Sequence, residues 1–337
     1  MMAPGRRTNL ALLAVFAVAL ATGAGSFATG ASAGRWVIWA HGIAGLGVLV
    51  LAPWKTRIAR RGVARRRPGL SASLALAVLV VSAVVAGLAH SSGALRSIGP
   101  LTAMQVHVGA ALVAVPLAVW HVIARPARPR PTDLSRRTLL RTGAFLGVST
   151  TAYIAAEGLV RATGLPGGDR RFTGSFETGS FQPEAMPVTQ WLNDAVPAIE
   201  ADRWRLVVAR MDGERSYDYG AFTRSDGAVR ATLDCTGGWF AEQRWEGTWL
   251  SHLLGDADVG RSVLVRSVTG YQRRFPVSDA DRLLLASRVG GTPLSAGHGF
   301  PLRLVTPGRR GFWWVKWIDR IEVDDTPWWW QPPFPLA

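Results

Sequence analysis

The chain has 337 residues, with 38 Lys and Arg against 23 Asp and Glu, for a formal net charge of +15. That excess lies wholly in residues 1–160, where 17 basic side chains meet two acidic ones, Asp133 and Glu157; residues 161–337 carry 21 of each sign. The arginines sit in short clusters between long apolar runs, which excludes a nucleic-acid protein and indicates a membrane protein with basic loops; one cysteine, Cys235, excludes a disulfide framework and any four-cysteine metal site.

Five segments, Leu10–Thr29, Trp36–Trp54, Leu70–His90, Ala103–Ala124 and Leu139–Val160, are long and apolar enough to cross a hydrocarbon layer of about 30 Å. Arg6 and Arg7 precede the first. Lys55, Arg57, Arg60, Arg61 and Arg65–Arg67 separate the second from the third, and Arg125, Arg128, Arg130, Arg136 and Arg137 the fourth from the fifth. The other two connections carry Arg35 and Arg96. By the positive-inside rule the N-terminus is cytoplasmic and everything after Val160 is extracytoplasmic, in a multi-pass protein of the cell membrane whose first partner is the lipid bilayer.

The fifth segment opens with Ser135-Arg136-Arg137-Thr138-Leu139-Leu140, which resembles a twin-arginine export signal. That route moves folded domains, as an outer domain loaded with a cofactor in the cytoplasm requires. A pair of arginines ahead of a span is equally what charge bias alone places there.

Four of the six histidines, His41, His90, His107 and His121, lie in or beside spans, where ionisable groups are costly and are functional candidates. His41 follows Arg35 by six residues and His107 follows Pro100 by seven, so the two share a depth near the outer face. Two neutral imidazoles facing each other across helices can ligate a haem iron, giving a cytochrome-b-like carrier with haem b. His121 lies 14 residues, about 21 Å, beyond His107, and no other span supplies it a second ligand. Hydrogen bonding between helices is the other reading of these side chains.

From residue 161 the composition changes. Gly164, Pro166, Gly167 and Gly168 form a hinge, dividing the chain into a helical domain of residues 1–160 and an outer domain of residues 161–337. Trp204–Val208, Val229–Leu233, Ser262–Val268, Leu283–Ser287, Leu302–Val305 and Trp314–Val323 read as strands, Val188–Asp194 and Leu250–Leu254 as short helices. The outer domain is thus expected to be α+β, mostly β. No repeat of 20–50 residues marks it as a solenoid, and no glycine-rich phosphate loop supports nucleotide binding. Trp328–Trp330, in a Pro-rich tail, either dock at a membrane interface or fold back on the domain.

The run Ala231-Thr-Leu-Asp-Cys235-Thr-Gly-Gly-Trp239-Phe, then Trp245-Glu-Gly247-Thr-Trp-Leu250-Ser-His-Leu-Leu254, resembles the molybdopterin-binding domain of the sulfite oxidase family. A second block agrees in order: His298-Gly-Phe-Pro301-Leu-Arg303-Leu-Val-Thr-Pro307, Arg310-Gly311-Phe and Val315-Lys316-Trp317-Ile318, with Ser267-Val-Thr269-Gly270-Tyr271 as a connecting segment. The resemblance implies a molybdenum–molybdopterin cofactor, with Cys235 as metal ligand and catalytic centre. It implies Arg303, Lys316 and His298 for the pterin phosphate, backbone contacts from Trp314 and Val315, and Thr269 beside the cofactor; Arg309 and Arg310 either assist or face solvent. A soft thiolate suits a high-valent metal and a guanidinium fork suits phosphate.

Departures from the family narrow the substrate. Sulfite oxidases follow their cysteine with Gly-Asn-Arg, whereas here Thr236-Gly237-Gly238-Trp239 stands. No C-terminal dimerisation domain of the sulfite oxidase type is expected after Val323. In both respects the chain is similar to periplasmic methionine sulfoxide reductase catalytic subunits, which work with a haem-containing membrane partner.

The expected protein is therefore an all-α transmembrane bundle fused to a mostly β molybdopterin-binding domain. It would be an oxidoreductase performing oxygen-atom transfer on a small-molecule substrate, sulfoxide reduction preferred, with electrons exchanged through the membrane domain with a quinone or other redox partner. A sulfite-type dehydrogenase would need an anion-gripping arginine such as Arg244, Arg273 or Arg274. A non-catalytic membrane-anchored module, or a haem carrier with a docking cap, would keep the fold without molybdenum.

Overall fold

A computed structural model describes residues 5–332 except 66–67, 128, 134, 191–193, 225 and 256–259. The chain forms two compact units, residues 1–176 and 177–337.

The first unit contains α1 (Arg6–Ala28), α2 (Arg35–Ala64), α3 (Leu70–Ser92), α4 (Ala103–Ala124) and α5 (Arg136–Ala162). All five are long and apolar enough to cross a membrane. Their apolar side chains stand largely uncovered, Val78 at 64% and Ile123 at 74% exposed, as helices solvated by lipid require. α2 continues ten residues beyond the expected Trp54, because Lys and Arg are good helix formers and carry the helix into its basic loop. α1 packs along α2, α3 along α4, and α5 against α2. Gly42 and Gly47 let α5 approach α2: a methyl at Gly42 would stand 2.5 Å from Tyr153, and one at Gly47 2.9 Å from Phe145. Small residues are the usual means of bringing helices together in lipid. Since residue 42 meets 153 and residue 47 meets 145, α5 runs antiparallel to α2.

Between α3 and α4 the strands β1 (Ser97–Ile98) and β2 (Leu101–Thr102) form a small hairpin. Thr102 then caps α4: its hydroxyl accepts from Gln105 N–H at 3.1 Å, while Gln105 Oε1 accepts from Thr102 N–H at 2.8 Å. Ser135, the first residue of the twin-arginine-like run, caps α5 by accepting from Thr138 N–H at 3.3 Å. Both acidic residues of the basic half are paired, Asp133 with Arg6 and Arg7, and Glu157 with Arg170.

The compact division falls at 176/177, whereas composition changes at 160/161. Residues 161–176 turn back onto the helices: Gly167 lies against the Ser91 and Ser92 carbonyls, where a methyl would stand 2.1 Å from Ser91 O. His90 Nε2–H donates to Gly174 O at 2.9 Å. The short β3 (Phe176–Glu177) spans this division.

The second unit holds β4 (Arg205–Arg210), β5 (Gly213–Asp218), β6 (Gly227–Asp234), β7 (Trp239–Trp249), the helix α6 (Leu250–Leu254), β8 (Ser262–Ser267), β9 (Gln272–Pro276), β10 (Leu284–Val289), β11 (Thr292–Pro293), β12 (Arg303–Val305) and β13 (Ile318–Asp324). One sheet runs β11-β10-β7, with β6 also on β7 and β12 also on β10; the other runs β5-β4-β13-β8-β9, in which β13 and β4 are parallel. Leu206, Val208, Val263, Val265, Phe275, Ile318 and Ile321 are wholly buried from the second sheet, as are Ala241, Trp245, Leu284, Leu285 and Leu304 from the first.

The expected strands are present, but Trp314–Trp317 is not part of one: Trp317 has φ +53°, which breaks extended pairing, and the strand starts at Ile318. β7, the longest strand, was read only as a motif. Of its inward positions Ala241, Gln243, Trp245 and Gly247, only Trp245 is large and apolar, so period-two alternation carries little hydrophobic contrast. Of the expected helix Val188–Asp194, residues 188–190 and 194 are irregular and 191–193 lie outside the described residues. The tail folds back on its own unit: Gln331 exchanges hydrogen bonds with both backbone groups of Arg274, while Trp329 and Trp330 remain exposed.

Gly247 sits where β7 and β10 come closest, beside a register shift between Ala286 and Arg288. A methyl there would lie 2.0 Å from Leu285 O, a backbone atom that has nowhere to move. Gly247→Ala should therefore destabilise this unit by about 1–3 kcal/mol, the cost of overpacking a closed core. Denaturant unfolding followed by tryptophan fluorescence measures it, since 11 of the 15 tryptophans lie after residue 161.

Candidate active site

A cleft, about half open to solvent, lies in the second unit. Cys235, Thr269, His298, Arg303, Trp314 and Lys316 all line it. They come from separate places in the chain, so the fold and not local sequence assembles the set.

Cys235 ends β6, in the tight turn to β7. Its N–H donates to Trp239 O at 2.8 Å, Gly238 N–H donates to its carbonyl at 3.2 Å, and Gly238 takes φ +93°, which a side chain would resist. Gly237 N–H points at Sγ, 3.3 Å away. From behind, the backbone at Gly311 passes so close that a methyl there would be 3.2 Å from Cys235 Cα. Burial pushes the thiol upward in pKa, opposed by the Gly237 N–H and by the charges of Arg310 and Lys316. A metal would supply the further charge needed to hold the thiolate.

Arg310, left open in the sequence, is buried and structural. Its Nη2 donates to Cys235 O at 3.0 Å, and its Nε lies 3.6 Å from Asp234 Oδ1, with both side chains nearly closed to solvent. Arg309 instead pairs with Asp279 at 2.5 Å and stacks on Trp313.

Arg303 is 2% exposed and held between two indoles, Trp245 at 5.2 Å and Trp314 at 5.5 Å. One nitrogen, Nη1, donates to His298 O at 3.1 Å, and Nε has no partner. Lys316 Nζ donates to Thr189 O at 2.9 Å and Gly297 O at 2.6 Å, leaving one of its three hydrogens free. Among the described residues no carboxylate pairs with either cation. Burial and their mutual repulsion pull Lys316 down to about 7, and burial pulls Arg303 down to about 9. Two desolvated cations with unused donors are a cradle for an anion.

His298 is not a third cation. Nε2–H donates to Met186 O at 3.0 Å, so Nδ1 accepts from the Ser295 hydroxyl at 2.9 Å, and burial lowers its pKa further. It fixes the loop whose carbonyl orients Arg303. Val315 does not line the cleft: its side chain is wholly buried and its carbonyl accepts from Leu304 N–H. Thr269 does, with its hydroxyl 3.3 Å from Asp194 Oδ2.

Sequence reading missed Thr189, Asp194 and the Asp234–Arg310 pair. Their signal is weak: each is an ordinary polar residue until the fold brings it to the cleft or to the Cys235 backbone. The arginines named for gripping sulfite are elsewhere. Arg244 is exposed beside Glu246, Arg273 stacks on Trp313 at 4.3 Å, and Arg274 binds Asp324 and Ser262.

With this geometry in view, residues 193–330 match the family model described as "Oxidoreductase molybdopterin binding domain". Mitochondrial sulfite oxidase of Rattus norvegicus is 28% identical over 168 residues, covering 38% of this chain and 30% of that protein. The NADPH nitrate reductase of Mycosarcoma maydis is 54% identical over 57 residues, 17% of this chain and 6% of that one. Among solved structures, the sulfane dehydrogenase SoxCD of Paracoccus pantotrophus aligns with TM-score 0.37 and 24% identity over 39% of this chain and 40% of that one. The C-terminal region is thus a molybdopterin-binding domain of the sulfite oxidase family, a domain shared with sulfite oxidases and nitrate reductases. The matched stretches span less than a third of those two curated relatives' length.

Removing Arg310 alone strands Asp234 as a buried charge, which typically costs about 3–5 kcal/mol. Arg310→Met should lower stability by that order, and Asp234→Asn in the same chain should recover a large part of it; unfolding curves of the single and double variants check this. Lys316 titrates in the opposite sense. Its folded pKa of about 7 lies below its ordinary value, so its desolvation cost is complete below pH 7 and is relieved as pH rises. Cofactor-free protein should gain stability between pH 7 and about pH 8.5, below the ordinary cysteine range, and Lys316→Met should remove that gain.

Proposed function

We propose that the chain is a membrane-anchored molybdenum oxidoreductase whose C-terminal unit takes an oxygen atom from a small sulfoxide or similar oxide. The carrying observation is the cleft itself, with a buried thiol beside two desolvated cations that lack carboxylate partners.

The residues fit the implied cofactor. Arg303 and Lys316 would bind its phosphate, the unpartnered Arg303 Nε being a donor in need of an acceptor. Cys235 would hold the metal. When bound, the molybdenum cofactor supplies two-electron oxygen-atom transfer. The protein's part is to fix Cys235 through the Gly237–Gly238 turn and Arg310, and to exclude water with Trp239, Trp314 and Trp317 around the cleft. The overall balance is oxide plus two electrons and two protons, giving the reduced compound and water.

The substrate preference rests on the cleft lining, in which Arg244, Arg273 and Arg274 take no part. A sulfite-type dehydrogenase would have to grip its anion with the same two cations that serve the cofactor. Arginine clustering favours an extracytoplasmic C-terminal unit, exported by the twin-arginine-like segment, with electrons exchanged through the helical unit with a membrane quinol.

Metal analysis of the detergent-purified chain tests the reading. About one molybdenum per chain and dye-linked sulfoxide reduction are expected, and Cys235→Ser should lower turnover by more than about a hundredfold, beyond the loss caused by disturbing a ligand's supports. Absence of molybdenum from protein made in a cofactor-producing host would sink it.

A further inference from the structure

Four of the five long helices, α1/α2 and α3/α4, repeat one hairpin pattern. Residues 41–54 of α2 and 107–120 of α4 are identical at six of fourteen positions, including His41/His107, Leu46/Leu112 and Trp54/Trp120. On the partner helices, Ala19 and Gly23 of α1 correspond to Ala83 and Gly87 of α3. The packing repeats as well. His41 Nδ1 lies 2.9 Å from Ala19 O, and His107 Nδ1 lies 2.7 Å from Ala83 O. Each ring rests on the equivalent glycine: a methyl at Gly23 would be 3.1 Å from His41, and one at Gly87 2.9 Å from His107.

A carbonyl only accepts, so both Nδ1 atoms carry the hydrogen and both Nε2 atoms of the neutral rings present a lone pair. This is the support that fixes ligating histidines. The two rings meet edge to face, with centroids 5.7 Å apart. Metal–imidazole bonds of about 2.0–2.1 Å place two trans ring centres roughly 6 Å apart. Among the described residues no group of three or more His, Cys, Asp or Glu could hold a bare ion. Two neutral imidazoles with free Nε2 lone pairs at this ring spacing suit a metal that brings its four other ligands with it. The other two histidines of this unit have other partners, His90 on Gly174 O and His121 on Ser73 Oγ at 3.3 Å.

We infer that His41 and His107 are the axial ligands of one b-type haem, held between the two hairpins at the end of the bundle where α5 finishes. Its use as the one-electron relay for the molybdenum domain rests on the function proposed above; the site itself does not. Each turnover would pass two electrons singly through the iron from a quinol, which is oxidised to the quinone.

The test is haem and molybdenum content of the full-length chain, with reduced and oxidised absorption spectra and electron paramagnetic resonance. One haem per chain with a six-coordinate, low-spin signature is expected. His41→Ala and His107→Ala should each abolish that signature or lower haem content at least about tenfold. His41→Met, which keeps a ligand, should instead give a six-coordinate His/Met form with a raised potential. His121→Ala and Cys235→Ser should leave the haem unchanged. Wild-type protein with molybdenum and no haem, or six-coordinate haem retained unchanged in both alanine variants, would overturn the inference and spare the oxidoreductase reading. Haem without molybdenum would uphold the site and remove that reading.

Discussion

The C-terminal unit depends on one constraint, that a thiol must be held still at the edge of a dry cleft. The chain meets it with backbone. Cys235 is clamped by its neighbours' N–H and C=O groups, and from behind by Arg310, whose own position is fixed against Asp234. Because that pair is buried on both sides, its removal is felt directly by the residue it supports. β6 and β7 run from this turn as one antiparallel pair, and the sheets carry the cation-bearing loops into place around it.

Charge is handled oppositely in the two units. In the helical unit Asp133 and Glu157 are matched to arginines, and Arg57, Arg60 and Arg61 at the basic end of α2 are exposed to water. In the cleft, Arg303 and Lys316 are kept away from carboxylates and stripped of solvent. A protein retains that cost where an incoming group relieves it.

What was legible in the sequence followed from contrast. The five helices stand out because 20 apolar residues between arginines admit few other structures. Cys235, Arg303 and Lys316 were found because ordered motif blocks surround them. Val315 was named from the same motif for a backbone contact; its side chain packs in the core and its carbonyl accepts from Leu304 N–H. β7 was obscured because, apart from Trp245, its inward residues are small or polar. The duplicated hairpin was hidden because its spacing slips from 66 residues on α2/α4 to 64 on α1/α3, and because helices rich in Ala, Val and Leu offer little by which to align them.

Duplication within one chain also permits what a symmetric pair of identical hairpins could not. Thr22, next to Gly23, puts a hydroxyl 3.5 Å from His41 Nδ1, whereas the matching position beside Gly87 is Ala86. Among the described residues, one imidazole thus has a hydroxyl as a second hydrogen-bonding neighbour and the other does not. In a homodimer every such substitution would appear on both faces. A fused pair can drift apart residue by residue, so the two sides of the same seam can be given different polar surroundings without disturbing the packing that brings them together.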